Sequence, residues 1–172
     1  IKDLETSIIT IGADKVGAFI AEPELASGGV IVPPKGYHQK SLEVCRQHDV
    51  LYISDEVVTG FGRLGHWFAS KEVFDIEPDL IIIDYGDLMK SRRGYEQKRF
   101  ELESIFEDLR ALSMEIKKPI WTATQSNREG FNDDVITIDK VGEAINKAHV
   151  VDFFGTFSQR KFHIGMNRMG QA

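Results

Sequence analysis

The sequence predicts an α/β protein with a mostly parallel sheet that is flanked by helices in three layers. Short apolar runs of strand length recur along the chain, and segments with helical spacing of apolar residues separate them. Strands that alternate with helices form parallel sheets, because a parallel connection needs a long crossover, which is right-handed. The fold class follows from the order of these segments.

Composition narrows the class of protein further. The 172 residues, 42% of them apolar, suit one soluble domain, or one domain with an added fragment. No apolar run reaches the roughly 18 residues of a membrane span, and the start of the chain lacks a signal-peptide pattern. The chain begins without Met, which suggests a start within a longer gene. The single Cys45 excludes an internal disulfide and predicts a cytoplasmic protein.

Charge is distributed unevenly along the chain. Residues 1–80 hold 7 Lys+Arg and 13 Asp+Glu, whereas residues 81–172 hold 14 of each. The second part is neutral overall, so charge gives no case for tight nucleic-acid binding. The difference indicates a change of composition near residue 80.

The segments up to residue 85 predict strands around a loop and a helix. The strands are predicted at Val16–Pro23, Val50–Glu56 and Leu80–Tyr85. Gly28, Gly29 and the pair Pro33–Pro34 indicate a loop after the first strand. The following segment, residues 37–49, places its apolar residues along one face of a helix.

Beyond residue 90 the pattern predicts a long helix, a fourth strand and two closing strands. The helix is amphipathic, with apolar residues at Leu102, Ile105, Phe106, Leu109, Leu112 and Ile116. The fourth strand covers residues 119–126, residues 130–135 predict a polar loop, and a short helix is expected from about Asp139. The closing strands are predicted at residues 152–158 and 161–168.

Two strings in the first part carry a family resemblance. They are FIAEPELASGGVIVPPKGY and ISDEVVTGFGRLGHWFAS. Together they resemble the class III aminotransferases, which use pyridoxal phosphate, and the resemblance covers nearly all of residues 1–80. It implies that Asp55 pairs with the pyridine nitrogen of the cofactor. A carboxylate in that place keeps the nitrogen protonated, so that the ring acts as an electron sink.

The same resemblance assigns further residues to the cofactor site. Val57 matches the residue that packs on the ring face, and Glu22 matches a carboxylate near the cofactor. Gly28 and Gly29 match the loop glycines that follow. The turn at residues 61–65 matches a segment near the active site and the dimer interface. Judged without the resemblance, a strand-terminal Asp is more often a helix cap, and a pair of glycines is only a turn.

The covalent part of that site has no match in this sequence. The family needs a Lys about thirty residues after the Asp to form a Schiff base with the cofactor. Tyr85 stands near that position, and Lys90 is out of register with it. The segment that would bind the cofactor phosphate is also missing, so transamination is not expected.

The second part carries a different resemblance. Its strings DLIIIDYGDLM, IWTATQSNREG, DVITIDKVGEA and HIGMNRMG resemble the RecA-like ATPase domain of hexameric replicative DNA helicases. The resemblance implies that Asp84 is a Walker B carboxylate that holds Mg²⁺ through water. It implies that Gln125 senses the terminal phosphate of ATP. Arg168 matches an arginine finger that reaches a neighbouring subunit, although Met166 replaces the Lys usual in that segment.

This second site is also incomplete. A Walker A loop, GxxxxGK[ST], should precede the Walker B strand, because its backbone amides and its Lys hold the phosphates. No such string occurs in the sequence. Hydrolysis of ATP is therefore not expected, whatever the ancestry of this part.

The sequence thus predicts a chimera of two enzyme fragments, joined at a segment that we call the junction, Glu77–Tyr85. Residues 1–80 are predicted to be an aminotransferase large-domain fragment, and residues 81–172 the C-terminal half of a helicase ATPase domain. Three strands from each part would form one sheet, with Asp55 and Asp84 on the same edge. The implied cofactors are pyridoxal phosphate and Mg-ATP, with neither catalytic site complete and neither cofactor required to bind.

Two alternatives to enzymatic ancestry stay open. One is an interaction module that docks on intact helicase subunits through Arg168. The other is a domain that binds phosphate or magnesium weakly at the Asp55 and Asp84 edge. Ancestry implies an aminotransferase dimer or a helicase hexamer, DNA as a partner only through the helicase resemblance, and no association with a membrane.

Overall fold

The computed structural model describes residues 1–91, 93–127, 136–140, 146–158 and 161–167. The chain divides into two compact units. Unit 1 comprises residues 1–84 and 117–121, and unit 2 comprises residues 85–116 and 122–172.

Unit 1 combines a parallel sheet with helices. Its strands are β1 (Ala18–Ala21), β2 (Leu51–Asp55), β3 (Leu80–Ile82) and β4 (Ile120–Trp121). Its helices are α1 (Lys2–Ile11), α2 (Tyr37–Gln47) and α3 (Ala69–Glu72), with a 3₁₀ turn at Ala13–Lys15. The strands lie in the order β1-β2-β3-β4, and each neighbouring pair is parallel. The predicted α/β class, with a parallel sheet flanked by helices, is confirmed.

Helices α1 and α2 pack against the same face of the sheet. They share a buried core with β2, made of Ile8, Leu42, Val44, Cys45, Val50, Tyr52 and Ile76. Cys45 is fully buried, as a small core residue should be. Helix α1 was not predicted, although its residues Leu4 and Ile8 have the four-residue spacing of a helix face.

The opposite face of the sheet is partly open in unit 1. Side chains alternate along a strand, so Tyr52 is buried while Leu51 is 52% exposed. On β1, the side chain of Ile20 is 53% exposed. The second helical layer that a three-layer arrangement requires therefore does not cover β1 and β2 in the described chain.

Unit 2 is organised around one long helix. Its elements are α4 (Lys98–Ile116), α5 (Asn146–Val150), β5 (Phe153–Ser158) and β6 (Lys161–Asn167), with 3₁₀ turns at Gly86–Leu88 and Ile138–Lys140. The predicted amphipathic helix is confirmed, because Leu102, Ile105, Phe106 and Leu109 are all buried. Helix α5 is tied to α4 by a hydrogen bond of 3.0 Å from Asn146 Nδ2 to Glu103 Oε2.

The prediction of one sheet with three strands from each part is wrong. Among the described residues, β5 and β6 pair antiparallel in a sheet of their own, with a bulge between Phe154 and Gly155. Strand β5 ends at Ser158 and β6 begins at Lys161. Because so few residues connect them, the two strands pair with each other more readily than with strands that are distant in sequence.

Two further segments differ from the prediction. Strand β4 ends at Trp121 rather than at residue 126. The next residue makes a hydrogen bond through its side chain, because Thr122 Oγ1 accepts the Gly86 N–H at 3.2 Å. Where a helix was expected from about Asp139, the described residues form a 3₁₀ turn at Ile138–Lys140 and α5 at Asn146–Val150, and residues 141–145 lie outside them. The polar loop predicted at residues 130–135 lies outside the described residues.

Candidate functional site

Acidic residues collect at the carboxyl edge of the sheet in unit 1. Asp55 ends β2, Glu22 follows the last residue of β1, and Asp84 follows β3 by two residues. The register pairs Ala21 with Ser54 and Asp55 with Ile82, so the carboxyl ends of β1, β2 and β3 lie at the same edge of the sheet. Asp55 and Asp84 therefore share one edge, as the sequence predicted. Ligands of open parallel sheets bind at this edge.

Asp55 has one carboxylate oxygen in use and one open. Its Oδ1 accepts the backbone N–H of Val57 at 3.1 Å, which closes a small turn directly after the strand. Its side chain makes no other hydrogen bond to the part of the chain that the structure describes, and the residue is half-buried. The second oxygen can therefore accept a hydrogen bond from a ligand.

Val57 places an apolar side chain beside this carboxylate. It follows Asp55 by two positions, in the turn after β2, and its N–H donates to Asp55 Oδ1, so the two residues are held close together. The side chain is 42% exposed, so a planar ligand can pack on it. The pair offers a hydrogen-bond acceptor next to an apolar surface.

Glu22 shapes the loop that contains Gly28 and Gly29. Its Oε2 accepts the Ala26 N–H at 3.2 Å, and the loop is closed by an antiparallel bridge between Leu25 and Ile31. Gly29 has a φ of 114°, a conformation that suits glycine. A Cβ at Gly28 would lie 2.7 Å from the Leu25 side chain. These residues thus fold the loop against itself, which is the role that the turn interpretation assigned to the glycines.

Glu56, directly after Asp55, is a buried carboxylate that no motif in the sequence singles out. Only 1% of the residue is exposed. Its Oε2 accepts from Thr59 Oγ1 at 2.5 Å and from the Ala69 N–H at 3.0 Å. Its Oε1 accepts from the N–H and the hydroxyl of Ser70, the former at 2.8 Å. Glu56 therefore caps the start of α3 and closes the loop of residues 57–68.

His38 is a second buried polar group that the sequence analysis did not assign to a site. Its Nε2 lies 2.8 Å from the Pro23 carbonyl, which can only accept, so Nε2 carries the proton. Its Nδ1, 2.8 Å from the hydroxyl of Tyr52, then accepts. Burial lowers the pKa of His38 below 6.5 and raises the pKa of Tyr52 above its ordinary value. The imidazole thus joins α2 and β2 to the turn that follows Glu22.

The residues assigned by the helicase resemblance fall in both units. Asp84, in unit 1, is exposed, and Gln125, in unit 2, donates from Nε2 to the hydroxyl of Tyr85 at 3.4 Å. Arg168 lies outside the described residues, as does Arg128. Over the described ranges no cluster of three or more His, Cys, Asp or Glu side chains suits a metal ion.

Unit 2 has a buried charge cluster that the sequence did not indicate. Lys147 Nζ donates to Asp87 Oδ1 and to Thr124 Oγ1, each at 2.8 Å, and Thr124 Oγ1 donates to Asp87 Oδ2 at 2.6 Å. The Lys147 side chain is 1% exposed. The cluster joins α5 to the 3₁₀ turn that contains Asp87. Its members are far apart in sequence, so spacing could not reveal it.

Comparison with known proteins identifies the family to which the first half of the chain is similar. A parallel sheet flanked by helices, with a carboxylate at the end of its second strand, places unit 1 among the α/β proteins. The family model for class III aminotransferases matches residues 1–86, half of the chain, and the protein belongs to this family. The match ends one residue after the junction.

Two curated relatives show how much of a family member is present. An uncharacterized aminotransferase of Sinorhizobium fredii is 52% identical over 84 residues, 49% of this chain and 18% of the relative. A taurine–pyruvate aminotransferase of Bilophila wadsworthia is 45% identical over 85 residues, with the same coverage. The crystal structure of an omega-transferase from Vibrio fluvialis is 45% identical, covering 46% of this chain and 19% of that chain, with a TM-score of 0.44. The chain spans less than a fifth of the relatives' length.

The family implies pyridoxal phosphate, and the residues of unit 1 fit part of it. The open oxygen of Asp55 suits a protonated ring nitrogen, and the exposed side chain of Val57 suits the ring face. No lysine directly follows β3, where Ile83, Asp84 and Tyr85 come next and the first lysine is Lys90. The next lysine after Asp55, Lys71, is on the surface in an ion pair of 3.0 Å with Glu77. The residues fit the ring of the cofactor and not its covalent attachment.

No helix in the described parts of the chain combines the length and the apolarity that a membrane crossing requires.

Proposed function

We propose that unit 1 binds the ring of pyridoxal phosphate without a covalent bond, as the ring-binding element of a class III aminotransferase. The observation that carries this proposal is the open oxygen of Asp55 at the carboxyl end of β2. When bound, the cofactor supplies an electron sink for reactions of amino acids. The protein's own residues hold and orient the ring.

Each residue has a limited part in this binding. Asp55 accepts the ring N–H and keeps the ring nitrogen protonated, and Val57 packs on one ring face. Glu22 holds the adjacent loop in its folded form through the Ala26 N–H. No lysine stands where the covalent bond would form, so we propose amino-group transfer as the ancestry of this part and not as its present activity.

The test uses pyridoxine 5′-phosphate, which has an alcohol in place of the aldehyde and cannot link to surface lysines. Binding is followed by the fluorescence of the pyridine ring. The wild-type protein should bind, Asp55→Ala should abolish binding, and Asp84→Ala should leave it unchanged. Asp84→Ala is a matched control, because it removes a carboxylate from the same edge of the sheet. Binding that survives Asp55→Ala, or that never occurs at excess ligand, overturns the proposal.

We propose as a second function that residues 81–172 descend from a helicase ATPase domain and bind Mg-ATP weakly, without hydrolysis. This proposal rests on the helicase-like strings of residues 79–172, most of which lie in the compact unit that begins at Tyr85. Asp84, at the carboxyl edge, is the carboxylate that would hold the magnesium through water. Calorimetric titration with Mg-ATP should give heat in the wild type and none in Asp84→Asn; no heat in either rejects the proposal.

The remaining proposals concern partners and location. A dimer follows from the aminotransferase ancestry of residues 1–80, and docking on intact helicase subunits through Arg168 follows from the helicase resemblance. Co-migration of the chain with a helicase hexamer, lost in Arg168→Ala, would support docking, and failure to co-migrate would reject it. The buried thiol of Cys45 suits the reducing cytoplasm that we propose as the location.

A further inference from the structure

The carboxylate of Glu56 is the most completely hydrogen-bonded polar group in unit 1 that the proposed function does not use. Every partner of the carboxylate acts as a donor: two hydroxyls, of Thr59 and Ser70, and two backbone N–H groups, of Ala69 and Ser70. The Ser70 hydroxyl also lies 2.7 Å from the hydroxyl of Ser54, in the adjoining part of β2. An ionised carboxylate, which only accepts, is the group that satisfies all of these donors at once.

The backbone of Glu56 is held as firmly as its side chain. Its N–H donates to the Ile82 carbonyl at 2.8 Å, which extends the ladder between β2 and β3 by one residue. Its carbonyl accepts the Gly60 N–H at 2.9 Å, and a Cβ at Gly60 would lie 2.8 Å from that carbonyl oxygen. Glu56 is therefore fixed in position at three points, by β3, by the loop after β2 and by α3.

This anchoring bears directly on the neighbours of Glu56. Asp55 precedes it at the end of β2, where neighbouring side chains point to opposite faces of the sheet, and Val57 begins the turn that follows it. The Glu56 carboxylate is therefore buried, while Asp55 is half-buried and Val57 is 42% exposed. The loop that begins at Val57 is closed at its far end by Ala69, which binds the same carboxylate.

We propose that Glu56 is a positioning residue for the ring site formed by Asp55 and Val57. It sets the direction of both side chains by fixing the backbone between them and by tying the loop of residues 57–68 to α3. This inference rests on the proposed binding of the pyridoxal phosphate ring. It adds a residue that acts through its neighbours and does not touch the ligand.

The experiment compares Glu56→Ala and Glu56→Gln with the wild type, again with pyridoxine 5′-phosphate as the probe. Glu56→Ala should weaken binding at least about tenfold, because small displacements of positioned groups have large effects on a site. The affinity of Glu56→Gln should lie between those of the wild type and Glu56→Ala. Its amide oxygen still accepts two hydrogen bonds, while its NH₂ group faces the Ala69 N–H. Circular dichroism at low temperature establishes that each variant is folded when binding is measured.

A stability control and an absorption spectrum distinguish the positioning role of Glu56 from a merely structural role. Ile8→Ala removes a buried core side chain, from α1, and should lower the thermal midpoint without changing the affinity for the probe. In the wild type, the absorption spectrum of the bound probe should show a protonated ring to higher pH than in free solution. In Glu56→Gln this protonation should titrate closer to the free probe, because Asp55 no longer faces the ring nitrogen.

The outcomes separate this inference from the proposal on which it rests. If the wild type does not bind the probe, the ring site itself is rejected, and the role of Glu56 with it. If the wild type binds and Asp55→Ala does not, while folded Glu56→Ala binds with wild-type affinity and spectrum, only the positioning role is overturned. Graded loss from wild type through Glu56→Gln to Glu56→Ala, with Ile8→Ala unaffected, supports it.

Discussion

The hydroxyl of Tyr52 is hydrogen-bonded to a buried histidine, and its removal should destabilise unit 1. Tyr52 is fully buried, and its hydroxyl lies 2.8 Å from His38 Nδ1. Tyr52→Phe removes that hydroxyl and keeps the ring, so that the core loses no large volume. The His38 ring then has an acceptor nitrogen with no donor, while its bond to the Pro23 carbonyl remains.

The expected loss follows from the cost of a buried polar group without a partner. Such a group costs about 1–3 kcal/mol, so Tyr52→Phe should lower the free energy of unfolding by that amount. His38→Ala should cost more, about 3–6 kcal/mol, since it leaves two polar groups unpaired and removes the edge-to-face ring contacts with Tyr37 and Phe74. Because a domain is stable by only about 5–15 kcal/mol, Tyr52→Phe is the safer variant.

The assay is urea unfolding followed by tryptophan fluorescence. The only two tryptophans, Trp67 and Trp121, both belong to unit 1, so the signal reports the unit that contains the pair. Tyr37→Phe is the matched control, because the Tyr37 hydroxyl has no hydrogen bond to the described residues. A Tyr52→Phe variant as stable as Tyr37→Phe would refute the reasoning.

The buried pair of His38 and Tyr52 should also make the free energy of unfolding depend on pH. The pKa of His38 in the folded protein lies below 6.5, mainly through burial, although the charge of Glu56 acts in the opposite direction. The unfolded chain therefore binds the proton more readily, and stability from this group is complete above pH 6.5 and falls as the pH drops towards the folded pKa. The difference in stability between the wild type and His38→Gln should shrink by at most about 1.4 kcal/mol per pH unit from pH 6.5 to 5. A constant or growing difference would contradict the direction of the shift.

Three further predictions concern other contacts. In unit 2, Asp87→Asn should cost about 3–5 kcal/mol, because the Lys147 charge stays buried, and Lys147→Met should cost less, because the side chain of Asp87 is 16% exposed; denaturation followed by circular dichroism compares them. Val30→Gly should stabilise unit 1 by about 1 kcal/mol in urea unfolding, because Val30 has a φ of 57° and a side chain that is 67% exposed. Lys71→Ala should leave the thermal midpoint unchanged, because both side chains of its pair with Glu77 are mostly exposed; a clear drop would show otherwise.

Local periodicity was enough to predict most of the elements. The apolar runs predicted β1, β2 and β3, and the spacing of Leu102 to Leu109 predicted α4. It was not enough to predict which strands pair, because pairing depends on the length of the connection as well as on the strand itself. Strands β5 and β6 show this, since both were predicted and both pair outside the parallel sheet.

The buried face of β2 could not be read from polarity. Its sequence places Leu51 and Ile53 on one face and Tyr52, Ser54 and Glu56 on the other, which suggests that the apolar pair faces the core. The structure buries the polar face instead. Ser54 and Glu56 are satisfied there by Ser70, which lies 16 and 14 residues away in sequence. Polarity alone cannot predict a burial that depends on so distant a partner.

The candidate site was predictable only where a string of residues carried the signal. The resemblance indicated Asp55, because a specific string surrounds it. Glu56 stands beside it with the same chemistry, yet the two carboxylates have opposite surroundings, since one ends the strand at an open edge and the other turns inward to four donors. Composition and spacing do not distinguish such neighbours, whereas the alternation of side chains along the strand does.

The junction shows why the chain can form the parallel sheet without having the lysine for covalent chemistry. Strand β3 pairs in parallel with β2 on one side, through Ile53 and Leu80, and with β4 on the other, through Ile81 and Ile120. These ladders use backbone groups and require only apolar side chains, so many apolar strands satisfy them. The covalent chemistry that the aminotransferase resemblance implies depends instead on a lysine after the strand, where this sequence has Asp84 and Tyr85. A substitution within β3 would therefore change the stability of the sheet. It would not supply the lysine that a covalent bond to the cofactor requires.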